Sequence, residues 1–394
     1  MMAAITAAKN GSRVVLIEKT NHLGKKLLLT GKGRCNLTNA AENIKTFIEA
    51  FGKNGKFLFS SLNNFSNLEV IKFFNSLGLE TKVERGNRVF PVSDNSLSVL
   101  AVLTGQLEKH HVTILKNTGV KSLMVKRNQI EKIDTTAGEI EAKKYIIATG
   151  GLSYPQTGCT GDGFKWAKEL GHTVITPQPA LVPVLIQEDF MPELEGLSLK
   201  NVLISVYKNN KKQTERQGEA LFTRQGLSGP IILDMSKHIG SLLDEKIELR
   251  IDFKPALDYP TLDQRIQKDF AENKNKVFKN SLDKLLPQKL IPVIIKLSGI
   301  DENKKATEIK KEERKKLVAL LKDFKLTVRG LENFNRAIIT TGGVELTEID
   351  PKTLKSKIIE NLYFAGEVLN LDGPTGGYNL QMCWSTGYTA GKNN

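Results

Sequence analysis

The 394-residue sequence predicts a discontinuous α/β nucleotide-binding domain, interrupted by a β-rich insert that itself carries a small helical subdomain. Three observations predict it. An apolar strand near the start ends in an acid (Arg13–Glu18, RVVLIE). Long glycine-rich loops follow apolar strands at widely separated places. Between residues 182 and 323 the pattern changes, first to short alternating apolar runs and then to helical spacing.

Residues 2–9 are small and helix-forming, and Gly11 stops them. The strand that follows delivers Glu18 at its end. In dinucleotide-binding folds an acid at that place accepts hydrogen bonds from ribose hydroxyls, about 20 residues beyond a glycine turn. Counting back puts such a turn just before Met1. The alternative is a strand-end charge in another α/β fold.

The next stretch, LGKKLLLTGKGRCNLTN (Leu23–Asn39), sets Gly24, Gly31 and Gly33 among Lys25, Lys26, Lys32 and Arg34. Glycines let backbone N–H groups approach a phosphate or a flat ring, and the cations offset negative charge. It reads as a loop too long for a simple turn.

Further strands are expected at Val112–Leu115 and Lys144–Ala148. The latter runs into Thr149, Gly150 and Gly151, where a side chain would block close backbone approach. The loop SYPQTGCTGDG follows. Near the C-terminus, Leu362–Phe364 enters Gly366-Glu367, and a loop through Asp372, Gly376 and Gly377 feeds a helix starting near Tyr378–Gln381. Such a helix start offers free N–H groups and partial positive charge, suited to the N1/O2 edge of a flavin. These signals define three segments: 1–183 with 336–394 for the cofactor, 184–255 with 324–335 as β-rich insert, and 256–323 as helical subdomain.

Composition narrows the class. With 40% hydrophobic and 25% charged residues the chain is ordinary globular protein, and no run approaches the about 18–20 apolar residues of a membrane span. The start does not read as a signal peptide, so a cytoplasmic location is expected. Three dispersed cysteines without CxxC spacing argue against a disulfide framework or a zinc site; Cys35 is read as a buried reduced thiol rather than a reactive one. The net charge of +14 invites nucleic-acid binding. The basic residues are dispersed, however, and the densest run (Asp301–Lys316) is mixed with acids and reads as a solvated amphipathic helix, so nucleic acid is not expected.

Taken in order, LIEKTNHLGKKLLLTGKGRCNLTN, RVFPVSD, ATGGLSYPQTGCTGDG, LFTRQGLSGP, TTGGVEL and LYFAGEVLNLDGPTGGYNLQ resemble the HI-type NAD(P)/FAD-dependent oxidoreductases, which include aminoacetone oxidase-like and BaiN-like flavoproteins. The resemblance implies an FAD-binding Rossmann-like domain of the two-dinucleotide-binding-domain type, a β-barrel insert and a small helical domain. It implies that Glu18 and Lys19 meet the adenosine ribose and that Val120 touches the adenine region. Lys26, Thr30, Gly31, Gly33, Arg34, Cys35 and Asn36 would surround the pyrophosphate, ribityl chain and flavin. So would Gly366, Glu367, Asp372, Gly376, Gly377, Tyr378, Asn379 and Leu380, with Thr149, Gly150 and Gly151 lining the cofactor path. Family members open with a short strand and a GGGxxG-type turn, so the chain is expected to be N-terminally shortened.

The expected activity is hydride transfer between FAD and a small organic substrate or NAD(P)H. Amine oxidase and ene-reductase both fit, as does either nicotinamide donor. No catalytic base stands out; Tyr154, Arg224 and Tyr378 are polar candidates for the flavin face, each read first as structural. No metal site and no membrane partner are expected, and the oligomeric state is open. The competing class is a flavin-free remnant or a basic RNA-binding protein, favoured by the shortening and the charge and opposed by the retained 366–381 loop.

Overall fold

The computed structural model describes residues 1–393 and divides the chain into two units, Met1–Ala180 with the chain from Phe334 onward, and Leu181–Asn333. The first unit is built on parallel strand pairs. Val15–Ile17 lies beside Thr113–Leu115, and Tyr145–Ile147 lies beside Leu362–Phe364. All four strands fall at or within one or two residues of where the apolar runs place them. In α/β sheets of this kind the loops beyond the carboxyl ends of the strands gather the ligand groups. Here those ends open into the segments at 18–36, 148–163 and 365–377.

Two helices rich in small residues pack on each other, the second also against Leu362–Phe364. Met2–Lys9 is buried from Met2 to Ala7 and packs on the C-terminal helix Tyr378–Lys392. The crossing is close: a Cβ on Gly391 would stand 2.3 Å from the Ala3 carbonyl oxygen, so only glycine fits there. The run 44–109 holds four further helices (Ile44–Ala50, Phe59–Asn64, Asn67–Ser76, Ser96–Lys109) around a small antiparallel sheet of Thr38–Asn39, Arg88–Pro91 and Thr81–Glu84. A three-stranded meander covers Val120–Glu141. Ile339–Val344 pairs antiparallel with Val174–Ala180.

The second unit is a closed six-stranded barrel. Its long hairpin, Ser198–Lys208 with Lys211–Thr223, buries Val202, Ile204 and Val206 at every second position, as a half-buried antiparallel strand requires. Helices Tyr259–Glu272, Ile291–Ser298 and Lys311–Lys322 pack against one another and share its apolar core. The helix Pro230–Gly240, inside the stretch whose alternation predicts strands, is a difference from the sequence reading. Its Gly-Pro start and IILDM spacing bury Ile231, Ile232 and Met235 on one face. Among the described residues no helix is long and apolar enough to cross a membrane.

Candidate functional site

The strand ends of the first unit bring distant segments together. Beyond Ile17, the Glu18 N–H donates to the Leu115 carbonyl and the Thr118 N–H donates to the Glu18 carbonyl, so residues 18–20 run beside 117–120. Val120 therefore heads its strand next to Glu18. The Glu18 carboxylate accepts the Thr20 N–H at 2.8 Å. Lys19 turns to the third segment, with its ammonium 2.6 Å from Asp162 and bonded to Thr160. Gly158, at φ +102°, makes this possible: a Cβ there would stand 2.9 Å from the Thr20 methyl.

The glycine-rich stretch after Leu23 is not loop throughout. Lys25–Leu29 forms a short helix, and the tight turning comes after it. Gly31, Lys32, Gly33 and Cys35 all take positive φ, and a Cβ on Gly31 would lie 2.9 Å from the Asn36 nitrogen. This folding leaves the Asn36 side-chain oxygen buried without a hydrogen-bond partner. Cys35 is fully buried, and burial pushes its thiol up to about 12, so it stays protonated. Thr30 donates to the Leu27 carbonyl at 2.7 Å.

Arg34 points away from a free phosphate-binding role. Its Nε donates to Asp94 at 2.8 Å, its guanidinium also bonds Glu84, and its plane lies 4.0 Å over the Phe90 ring. Bonding to Arg34 holds the Glu84 carboxyl below the usual range, and Lys82 followed by Arg34 does the same for Asp94. The arginine is a clamp between the 30–36 turn and the small antiparallel sheet.

At the centre, Lys26 and Glu367 form a buried ion pair, 2.5 Å apart. Such a pair persists only when its remaining lone pairs and protons are satisfied. The Lys26 ammonium also donates to the Ser153 hydroxyl at 2.7 Å, while Glu367 accepts the Thr340 N–H at 2.7 Å and the Ser153 hydroxyl at 3.1 Å. Burial alone lowers the Lys26 ammonium, but the Glu367 carboxylate carries it above the ordinary lysine value. Gly150 and Gly151 leave the space for this. A Cβ on Gly151 would stand 2.4 Å from the Thr340 hydroxyl, and one on Gly150 3.1 Å from the Cys159 sulfur. The Thr149 hydroxyl beside them is buried and unpartnered.

The 366–381 segment closes the arrangement. The Gly366 N–H donates to Thr386, Asp372 accepts from Thr341 at 2.8 Å, and the Asn379 side chain zips its own loop by bonding Gly373 and Pro374. Gly377, at φ +103°, caps the C-terminal helix without a side-chain bond; a Cβ there would meet the Thr38 carbonyl oxygen at 2.3 Å. Asn39 donates to the Gly376 carbonyl, and Tyr378 rests on Phe47 with ring centres 5.0 Å apart. The helix start, ending in Tyr378, Asn379 and Leu380, is thus pinned against the strand after Asn36, its first N–H groups uncapped by any side chain.

The structure therefore gathers Glu18, Lys26, the 30–36 turn, Thr149 to Gly151 and the 366–380 loop into one unit. Lys19, Arg34 and Asn379 spend their polar groups inside it. Ser153, Thr340, Glu84 and Asp94 hold these groups in place and were not singled out by sequence reasoning. Ser153 and Thr340 sit inside stretches marked for their glycines, GLSYP and TTGG, and the glycines were the signal that drew attention instead.

A Rossmann-type unit carrying this array at its strand ends defines a class, the FAD-dependent oxidoreductases. Residues 1–393 match the family described as HI0933-like protein Rossmann domain, and the chain belongs to that family. It is 32% identical to a 3-dehydro-bile acid delta(4,6)-reductase of Clostridium scindens, across 100% of this chain and 95% of that protein. It is 28% identical to a ribosomal RNA dihydrouridine synthase of Haemophilus influenzae, across 98% and 94% of the two chains. The fold is similar to that of a 3-ketosteroid delta1-dehydrogenase from Sterolibacterium denitrificans, with a TM-score of 0.54 at 12% identity, covering 99% and 96% of the chains.

Proposed function

We propose that this FAD-dependent oxidoreductase reduces a carbon–carbon double bond conjugated to a carbonyl. The observation that carries the reading is the gathering of three strand-end segments around the Lys26–Glu367 pair, with the Thr149 hydroxyl in one of them and the Asn36 side-chain oxygen in another buried and unpartnered. Buried polar atoms without partners are rare in folded proteins, and one in each of two glycine-rich segments fits a polar, extended ligand. The donor set fits FAD. Glu18 and Val120 suit the adenosine end, Thr30 to Asn36 with Gly150 and Gly151 the pyrophosphate and ribityl chain, and the start of the C-terminal helix at Gly376 to Leu380 the flavin ring. Arg34 and Asn379 act in this reading by shaping the turns. Bound FAD supplies two-electron hydride transfer, with NAD(P)H as the source of electrons.

The domain division belongs to the same proposal: residues 1–183 with 336–394 hold the cofactor, 184–255 with 324–335 form the β-rich insert, and 256–323 is a helical subdomain. The protein would work in the cytoplasm. The reduction is preferred over amine oxidation because two relatives, one named for reducing a bile acid and one for making dihydrouridine, carry names that imply saturation of a double bond next to a carbonyl.

Two substrate classes meet that description. A small enone is the first. A uridine within RNA is the second, and the net charge of +14 favours it. The test is anaerobic: protein loaded with FAD is reduced with NADH, then offered a 4-en-3-one steroid or a uridine-containing RNA transcript. Reoxidation of the flavin with formation of the saturated product is expected. Reduction of the oxidised flavin by an amine, or reoxidation of the reduced flavin by oxygen alone with both double bonds untouched, would contradict the reading.

A further inference from the structure

We propose that the helical part of the second unit carries a docking surface for the phosphodiester backbone of RNA, formed by the end of helix Tyr259–Glu272, the 277/305 bridge and the start of helix Lys311–Lys322. This deepens the proposed function by placing a partner, and it rests on the RNA arm of that reading.

The charge of the chain is not evenly spread. Between Lys274 and Lys316 there are 13 Lys and Arg against six Asp and Glu, a surplus of seven, half of the net +14, in 43 of the 394 residues. Ion pairs hold four of these cations and two of these acids, leaving nine cations against four acids without one among the described residues. Glu302 is taken by Lys279, Glu313 by Lys304, and two acids outside the segment, Glu272 and Asp263, by Lys284 and Arg314. Lys274, Lys276, Lys296, Lys305, Lys311 and Lys316 are exposed and have no ion pair among the described residues.

The backbone brings several of these together. Val277 bridges Lys305, and the Ala306 N–H donates to the Lys276 carbonyl, so Lys276 and Lys305 stand on adjacent strands of chain. Five residues on, Lys310 and Lys311 open the helix that buries Leu317, Val318 and Leu321 on its other face. Glu312 and Glu313 stand in the same first turn and suit the helix dipole; Glu313 is taken by Lys304 and the Lys310 N–H, while the Lys311 ammonium stays without an ion pair. A surface that keeps nine cations against four acids outside ion pairs suits a partner bearing regularly spaced negative charge. RNA is favoured over a membrane because among the described residues no exposed large apolar side chain in this segment apart from Leu297 is present to insert into lipid.

The test uses the full chain and a fluorescein-labelled RNA hairpin, with affinity read by anisotropy at several salt concentrations. Two charge-reversal pairs, K276E/K305E and K311E/K316E, are each expected to weaken binding about fivefold to tenfold, and to lower the slope of log affinity against log salt by roughly one to two. A control pair on the first unit, K143E/K352E, is expected to change affinity less than about twofold. Thermal melts of each variant check folding and are expected to match the parent protein. The inference is overturned if the combined fourfold variant binds the hairpin within about twofold of the parent, or if the control pair weakens binding equally. It is also overturned if the parent protein binds anionic phosphatidylserine vesicles but not the hairpin. Failure to bind RNA with the enone still reduced would sink this inference and leave the proposed reductase standing.

Discussion

Lys26 and Glu367 are 341 residues apart in the chain, yet the ammonium of one lies 2.5 Å from the carboxylate of the other. Both are largely buried, at 22% and 10% side-chain exposure, and Ser153 and Thr340 complete their hydrogen bonds. The pair ties the helix after the first strand to the loop after the last one. It fixes the place where the ligand segments meet.

Removing one partner of a buried pair leaves the other uncompensated. Glu367→Gln is expected to destabilise the protein by about 3 kcal/mol, measured by urea unfolding. The double variant Lys26→Met/Glu367→Gln is expected to recover much of that loss while still failing to retain FAD. The pH dependence follows from the direction of the shift. Lys26 is raised in the folded protein, so its contribution is complete below the unfolded lysine value and is lost as pH rises through the folded one. Equal stability of the single variant and the parent at neutral pH would contradict this.

Arg34 braces a strained turn through Glu84 and Asp94. Arg34→Lys keeps the charge and loses the fork, so amide exchange in residues 30–36 is expected to rise several-fold and FAD affinity to fall. Both carboxyls are depressed in the folded state, so their stabilisation is present above the unfolded carboxylate value and disappears as pH falls through the folded one. An unchanged exchange pattern in the lysine variant would show that the clamp does not hold the turn.

Glycine is required at 377 for two reasons, backbone conformation and space. Gly377→Ala puts a Cβ 2.3 Å from the Thr38 carbonyl at φ +103°, and a loss of about 3 kcal/mol or failure to fold is expected. Gly33→Ala, at φ +85° with nothing within 4 Å, is the comparison and is expected to cost about 1 kcal/mol. Thermal melts of the two variants check the order.

His172 is buried between two partners, its Nε2 3.0 Å from the Ser356 hydroxyl and its Nδ1 3.3 Å from Glu348. Ser356 is itself held by the N–H groups of Ile358 and Ile359, so the trio is structural. Burial lowers the His172 imidazole despite Glu348, so the folded state binds its proton more weakly than the unfolded chain does. Stability is therefore complete above the unfolded histidine value of about 6.5 and falls as pH drops towards the folded one. His172→Gln is expected to flatten that decline between about pH 7 and 5, followed by denaturant midpoints.

The strand ends were legible because each is an apolar run stopped by a glycine or an acid, at Glu18, Gly150 and Gly366. Local pattern carries that information. Arg34 was not legible. Among neighbouring lysines and glycines it reads as a counter-charge for phosphate, and its partners lie 50 and 60 residues away. The Lys26–Glu367 pair is invisible for the same reason on a larger scale. The lysine run at Asp301–Lys316 reads along the chain as mixed with acids; only the fold shows that Glu302 and Glu313 are already taken.

Retention of FAD by the purified full-length chain tests the central claim most directly. The protein is incubated with excess FAD, freed of unbound cofactor and examined by visible absorption alongside the Lys26→Met/Glu367→Gln variant. About one flavin per parent chain, with the band shape of a bound ring and none retained by the variant, is the expected result. A folded parent protein that emerges colourless, or a variant that keeps as much flavin as the parent, would contradict the account.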